Sequence, residues 1–160
     1  MAIMKDNGFC LSMHQPWASL LVLGIKKHEG RSWYSAHRGP LWISAASKQP
    51  EQSEIEKVEQ FYIDRGFEKS IFPSSYPTSC ILGSVNVIDV LPLTNYLEQF
   101  PEGESSCPFV FICDNPRELL FKLPMKGKHK ICQFNLKSII LFIVVKLDAD
   151  IFRSVTSSFM

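Results

Sequence analysis

The chain has 160 residues, of which 46% are hydrophobic and 21% are charged, and its formal net charge is +1. This length and composition are typical of one globular domain and exclude a globally disordered chain. The small net charge excludes a uniformly basic nucleic-acid-binding protein, but it permits a basic face on one side of the fold.

The five cysteines are irregularly spaced and form no C-x-x-C pair. The four histidines are scattered, and none has zinc-ligand spacing from a pair of cysteines. The first eight residues form a short, mainly polar stretch, which is not typical of a secretory signal. We therefore expect reduced, mostly buried thiols in an intracellular protein, with no metal ion or other cofactor.

The N-terminal stretch combines a strand, a turn and a short helix. Apolar residues predict a strand over Phe9–Met13. Pro16 suits the first turn of a helix, because its missing N–H would have no partner there. Apolar residues at helical spacing between positions 17 and 21 predict one buried helix face, and Gly24 suits a left-handed stop.

Three charged residues, Lys26, Glu29 and Arg31, follow this helix. Two cations with a carboxylate between them are costly to bury and well suited to holding a ligand. Charged residues are nevertheless mostly exposed, so a solvated surface strand explains the same spacing. The residues alone leave both interpretations open.

The middle of the chain predicts strands on either side of a helix. Apolar residues over 41–46 and 80–90 predict buried strands, and Gly83 indicates a bulge or the close approach of another backbone. A helix with an apolar stripe is predicted to begin near Glu51 and to end at Gly66.

The last third of the chain predicts mainly strands. A short helix over 94–100 precedes a strand over 109–112, which a turn at 114–116 is expected to close. Further strands are predicted over 119–123 and 130–134. Strands outnumber helices and do not alternate with them, which favours an α+β fold with a small, mostly antiparallel sheet or a partly open barrel.

We assign residues 136–160 to an atypical apolar and Ser-rich tail. Its continuous apolar run, 139–145, is far shorter than the roughly 20 residues of a membrane-spanning helix, so no membrane partner is expected. The run fits a buried final strand or, if nothing covers it, a segment prone to aggregation.

Several segments carry a resemblance to a known family: LSMHQPWASLL, GIKKHEGRSW with its GxKxxExR pattern, LGSVNVID, PFVFICDNPREL and LPMKGKHKI. In these segments, residues 8–135 resemble the ASCH domain, a family of small PUA-like β-barrels. The resemblance implies such a barrel with two or three short peripheral helices. It also implies a nucleic-acid-binding module of a transcriptional coactivator, with RNA or DNA and coactivator-complex proteins as partners, in the nucleus and cytoplasm.

The resemblance also implies a basic cleft. Gly24 would turn the backbone there, Lys26 and Arg31 would meet phosphate, and Glu29 would orient a cation or accept a hydrogen bond from a base. Neighbouring aromatic side chains would stack on an unpaired base. The other residues expected to form or line the cleft are Ser12, Gln15, Pro16, Trp33, Tyr34, His37, Arg38, Lys48, Lys126, Lys128 and Lys130.

For several residues, an ordinary structural role is the alternative to a place in the cleft. Trp17 and Trp42 lie in apolar segments and favour the core over stacking. Ser12 and Gln15 suit the capping of a turn or helix start, and the lysines around Lys126 suit a solvated turn.

Two other functions remain open. Some microbial ASCH proteins are hydrolases of nucleosides or RNA, and in such an enzyme Lys26 and Glu29 would be catalytic. Their amidohydrolase pattern has a threonine in place of Glu29, so the hydroxyl that a nucleophilic route needs is missing. This favours a binding module over an enzyme. A protein-interaction module with an aromatic patch around Trp33 is the third possibility.

Overall fold

The structure is a computed structural model that describes residues 5–137 and residue 140. Within these residues six strands and three helices are found. The strands are β1 (Phe9–Met13), β2 (His28–Arg31), β3 (Gly39–Ala45), β4 (Cys80–Pro92), β5 (Phe109–Pro124) and β6 (Ile131–Gln133). The helices are α1 (Trp17–Val22), α2 (Gln52–Ile63) and α3 (Leu93–Gln99), and a 3₁₀ turn covers Lys69–Ile71.

The strands of the described residues form one sheet in the order β2-β5-β4-β3-β1-β6. Neighbouring strands are antiparallel except β1 and β3, which run parallel. The sheet curls, so that the side chain of Arg31 on β2 reaches the carbonyl oxygen of Ser12 on β1, with Nη2 3.4 Å from it. The predicted α+β class and partly open barrel are confirmed as a curled, six-stranded half-barrel.

The main core joins β1, β3, β4 and β5 with one face of α1. Leu11, Leu21, Ile43, Val87 and Phe111 are each at most 2% exposed in this core. A smaller cluster packs α2 against the end of α1. Since both clusters use α1, that short helix fixes the position of the chain that leads into β2.

The predicted turn at 114–116 is wrong, because β5 continues through it. Asn86 and Ser84 of β4 pair with Asp114 and Arg117, which leaves two residues of β5 facing one of β4. The first of the two is an asparagine with φ of +47°, a conformation that asparagine tolerates better than most residues. The turn residues therefore form a bulge within a long strand.

The other predicted strands and helices are confirmed to within a few residues at each end, although 119–123 belongs to β5. Gly83 is confirmed as a point of close backbone approach, because a Cβ there would meet the carbonyl oxygen of Arg117. Gly24 is confirmed as a left-handed stop, with φ of +75°.

The predicted tail, 136–160, lies outside the described residues except for positions 136, 137 and 140. Most of its apolar run, 139–145, therefore has no structural account, and the boundary between domain and tail stays a prediction. In the part of the chain that the structure describes, no helix has the length and apolar character needed to span a membrane.

Candidate functional site

A cleft of about 920 Å³ opens where β1 and β2 approach each other. One side is the end of β2 and the residues after it, Gly30–Trp33, which we call the β2 wall. The opposite side is the connection between β5 and β6, residues 124–130, which we call the loop wall. The end of β1, the residues that follow β3, Ser79 and Cys107 complete the described lining. The cleft thus depends on the curl of the sheet.

The lining of the cleft is basic. Among the described residues that line it, four are lysine or arginine and none is aspartate or glutamate: Arg31, Lys126, Lys128 and Lys130. His14 and His129 also lie in this lining. Cations that share one concave surface give it a positive potential, even on a chain whose net charge is only +1.

Lys26 and Glu29 lie behind the β2 wall rather than in the cleft. Glu29 is 7% exposed; its Oε1 is 2.8 Å from Nη1 of Arg31, and its Oε2 is 3.3 Å from Nζ of Lys26. Lys26 is only 6% exposed. The interpretation of these charges as a solvated surface strand is wrong, because Lys26 and Glu29 are buried and Arg31 is partly buried.

Arg31 is fixed from two sides. One terminal nitrogen of its guanidinium contacts Glu29, and the other donates to the carbonyl oxygen of Ser12. The side chain remains 22% exposed at the cleft. Because a guanidinium has five N–H donors, these two partners leave donors for a ligand.

Trp33 lines the cleft with its ring fixed against the core. The ring centroid is 5.6 Å from that of Phe111, and the two planes meet at 80°. Nζ of Lys130 lies 5.8 Å from the indole centroid, within the range of a cation–π contact. Tyr34, the neighbouring aromatic residue, is outside the described lining of the cleft and is 54% exposed against Phe109.

The remaining predicted residues are divided between the cleft and the scaffold. Ser12, Lys126 and Lys128 line the cleft. Lys48 is exposed and follows Ser47, a lining residue. Arg38 is instead paired with Asp89, with Nη2 2.6 Å from Oδ1.

Gln15, Pro16 and Gly24 are outside the described lining of the cleft and have structural contacts instead. Gln15 Nε2 donates to Ser19 Oγ at 2.7 Å, and Gln15 Oε1 accepts from the backbone N–H of Ser19 at 3.0 Å. The capping role weighed for Gln15 is therefore confirmed. Pro16 is at the N-cap position of α1. Gly24 packs closely on Pro116, because a Cβ on the glycine would lie 2.8 Å from Pro116 Cγ.

The two tryptophans predicted for the core are confirmed there. Trp17 packs against the main core, and Trp42 packs against a cluster around Ile81 and Leu123. Trp42 Nε1 also donates to Asp6 Oδ2 at 2.9 Å.

Sequence reasoning missed several residues that line the cleft: Ser47, Ser79, Cys107, Met125 and His129. They come from three separate connections between strands. No motif joins them, because only the curl of the sheet brings these connections together. A positive φ of 53° at Ser79 is visible only in the structure.

A smaller cavity of about 210 Å³ contains Lys26, and no hydroxyl side chain is among the described residues that line it. The thiol of Cys113 is among the groups that line it. Burial raises the pKa of this thiol to about 12, so it stays protonated at neutral pH and is a weak nucleophile. The described lining of this cavity therefore offers Lys26 no hydroxyl of the kind that the hydrolase alternative requires.

A polar network fixes the start of β2. Glu104 accepts from the backbone N–H groups of Lys27 and His28 at 2.8 and 3.2 Å and from the hydroxyl of Tyr62 at 2.6 Å. The Tyr96 hydroxyl lies 2.9 Å from Nδ1 of His28. Burial lowers the pKa of His28 below its ordinary value, so this imidazole is predominantly neutral at neutral pH.

Within the described residues, no group of three or more His, Cys, Asp or Glu side chains is placed to hold a metal ion. The polar groups that do converge are the cations and hydroxyls of the cleft. Their chemistry suits an anionic ligand.

Comparison with known proteins identifies the family. Activating signal cointegrator 1 from Homo sapiens and from Mus musculus are each 51% identical to this chain over 135 residues, which is 82% of this chain and 23% of each relative. The chain therefore spans about a quarter of the length of these curated relatives.

Two solved structures share the fold at low sequence identity. An ASCH protein from Zymomonas mobilis and a variant of it have TM-scores of 0.51 and 0.54 and 8% identity. The alignments cover 86% and 87% of this chain and 94% and 96% of those chains. At this identity the match supports the fold alone. The family model described as "ASCH domain" matches residues 11–140, and the chain belongs to that family.

Proposed function

We propose that this chain is a nucleic-acid-binding module that holds the phosphates of RNA or DNA in its basic cleft. One observation carries the proposal. Arg31, Lys126, Lys128 and Lys130 share a single concave surface, and no described carboxylate lines it. Phosphate contacts supply most of the affinity of proteins that bind nucleic acid without sequence preference.

The two kinds of cation have different parts in this proposal. Arg31 offers a planar fork that grips phosphate oxygens, and its fixed position gives the bound strand an orientation. The exposed lysines of the loop wall act as point charges. Lys26 and Glu29 act indirectly. The Glu29 carboxylate fixes the guanidinium of Arg31, and Lys26 neutralises the negative charge of that carboxylate.

We propose binding rather than hydrolysis as the activity. Lys26 is ion-paired with Glu29, and the described residues around its cavity include no hydroxyl. A nucleophilic route needs a hydroxyl or thiolate next to a base. Turnover of RNA or of N4-acetylcytidine that Lys26→Ala abolished would contradict this proposal.

The identity with activating signal cointegrator 1 supports a wider role for the chain as the ASCH module of a coactivator of that kind. In this role the module would bring nucleic acid to a coactivator complex in the nucleus and cytoplasm. Protein partners would contact surfaces outside the cleft. A partner captured by the parent and by Arg31→Ala alike would separate such a surface from the nucleic-acid site.

The test measures the affinity for labelled hairpin and single-stranded oligonucleotides of RNA and DNA. Fluorescence anisotropy gives this affinity at several salt concentrations from about 50 to about 200 mM. The parent should lose affinity as salt rises. Arg31→Ala, and Lys126→Ala combined with Lys128→Ala, should each weaken binding. Each should also reduce the slope by about 0.7–0.9 for every phosphate that the variant no longer neutralises.

The matched control for charge is Arg65→Ala. Arg65 is a cation at the end of α2, where its guanidinium lies 3.4 Å from the ring centroid of Phe61. This variant should bind like the parent. If all three variants change affinity and slope equally, the cleft is not the binding site. If the parent binds no oligonucleotide at low salt, the proposed function is wrong.

A further inference from the structure

We propose that the cleft receives one unpaired nucleotide, whose base stacks on the ring of Trp33 while its phosphate is held between Arg31 and Lys130. This inference rests on the function proposed above and names the form of nucleic acid that the cleft selects. It depends on three observations: the fixed ring of Trp33, the position of Lys130, and the size and polar lining of the cleft.

The ring of Trp33 has the properties of a stacking platform. Its position is set by the edge-to-face contact with Phe111, so little freedom is lost when a base stacks on it. The side chain is half-buried and lines the cleft, whereas the other two tryptophans lie outside the described lining. Every base has a π-face, so such a ring binds bases with little regard to sequence.

Lys130 occupies the space above this ring. Its φ is +56°, a left-handed conformation that few residues other than glycine adopt. Residues held in such conformations cluster at binding sites. Here the conformation brings Nζ to 5.8 Å from the indole centroid, where the ammonium occupies the ring face when no base does. A flexible lysine moves aside to admit a base and then meets its phosphate.

The size and lining of the cleft favour an unpaired nucleotide over a duplex. A volume of about 920 Å³ lies in the range of pockets that enclose small ligands. Bases within a duplex are already stacked on both faces, and taking one out of the stack costs energy that an end or loop nucleotide does not need. The hydroxyls of Ser12, Ser47 and Ser79 also line the cleft and offer donors and acceptors to a base edge.

The experiment measures affinity for three hairpins that differ only at one end. The first is blunt, the second carries one unpaired nucleotide, and the third carries the same overhang without its base. Each is made in RNA and in DNA and is measured by anisotropy at one salt concentration. The parent should bind the overhang about tenfold more tightly than the blunt or the abasic hairpin.

Trp33→Leu should remove this preference, because the base loses the ring on which it stacks. Trp33→Phe should restore part of the preference, because a phenyl ring still stacks. Trp42→Leu is the matched control, since Trp42 packs against Phe134 outside the described lining of the cleft, and it should keep the preference.

Equal affinity of the parent for all three hairpins would overturn this inference and leave the proposed function standing. Failure of the parent to bind any of them would overturn both. Circular dichroism checks that Trp33→Leu is folded. If it is not, the comparison of the overhang with its abasic form in the parent still decides the question.

Discussion

The β2 wall and the loop wall face each other across the same cleft but hold their cations in different ways. Arg31 on the β2 wall has two partners inside the fold, Glu29 and the carbonyl oxygen of Ser12. On the loop wall, Lys126, Lys128 and Lys130 are exposed, and none has an ion-pair partner among the described residues. One wall is therefore pre-organised and the other is free to adapt.

Under the proposed function, this difference gives the two walls different parts in binding. A pre-organised arginine gives a bound phosphate a defined position, because little side-chain freedom is lost on binding. Exposed lysines add attraction that depends on salt and is tolerant of the ligand's shape. Changes to the β2 wall should therefore act on folding as well as binding, and changes to the loop wall should act mainly on binding.

The largest expected effect comes from Glu29→Gln. The change leaves Lys26 and Arg31 without the carboxylate that lies 3.3 and 2.8 Å from them, and Lys26 is almost fully buried. Removing one partner from a buried ionic group typically costs about 3–5 kcal/mol. We expect a loss of this size in the free energy of unfolding, measured by urea denaturation.

The matched control is Glu118→Gln, since Glu118 is ion-paired with Lys122 at 2.7 Å but its side chain is 47% exposed. An exposed pair contributes at most about 1 kcal/mol, so this variant should remain close to the parent in stability. If Glu29→Gln is no less stable than Glu118→Gln, then the buried charges do not anchor the β2 wall.

How much of this site the sequence predicts depends on which wall is considered. The charges of the β2 wall lie within one short motif, so Arg31, Glu29 and Trp33 are identified from their spacing and from the family resemblance. Their burial is not, because the same spacing fits a solvated strand, and the pairing of β2 with β5 is a long-range contact. The sequence therefore predicts the members of the ionic group but not the indirect role of Lys26.

For the loop wall and the bulge in β5, the residues are visible in the sequence but their arrangement in space is not. The lysines of the loop are visible in the sequence, but their meeting with Arg31 depends on how far the sheet curls. Asp114, Asn115 and Pro116 have strong local turn preferences, yet pairing with β4 along the whole of β5 overrides them and converts the turn into a bulge. Long-range pairing of this kind has no local signature.

A smaller effect, confined to binding, is expected from Gly127→Ala on the loop wall. An added Cβ would lie 2.6 Å from Oγ of Ser12, so the loop or the serine must move. The loop is exposed, and we expect a stability loss below about 1 kcal/mol, as for other changes at the surface. Affinity for the labelled hairpin should fall several-fold, because the loop lysines are displaced from Arg31.

The double variant Gly127→Ala with Ser12→Ala tests the cause. It removes the hydroxyl oxygen, and the nearest remaining atom of residue 12 is its Cβ at 3.6 Å, an ordinary contact. Affinity should return toward that of Ser12→Ala alone, which gives a coupling energy between the two sites. Additive losses in the double variant would show that the position of the loop wall does not depend on this contact with β1.

The smallest expected effect is on the pH dependence of the stability, and it concerns the side of the fold that holds the β2 wall. Burial lowers the pKa of His28, beside the β2 wall, below the value near 6.5 of an unfolded histidine. The unfolded chain therefore binds a proton more readily than the folded one, so stability is complete above pH 6.5 and declines as the pH falls toward the lowered pKa. One such group limits the slope to about 1.4 kcal/mol per pH unit.

His28→Asn should make urea stability less dependent on pH between about 7 and about 5.5. If the variant keeps the parent's full dependence, then acid acts elsewhere in the fold, and the network of Glu104, Tyr96 and His28 is not what makes the β2 wall sensitive to pH.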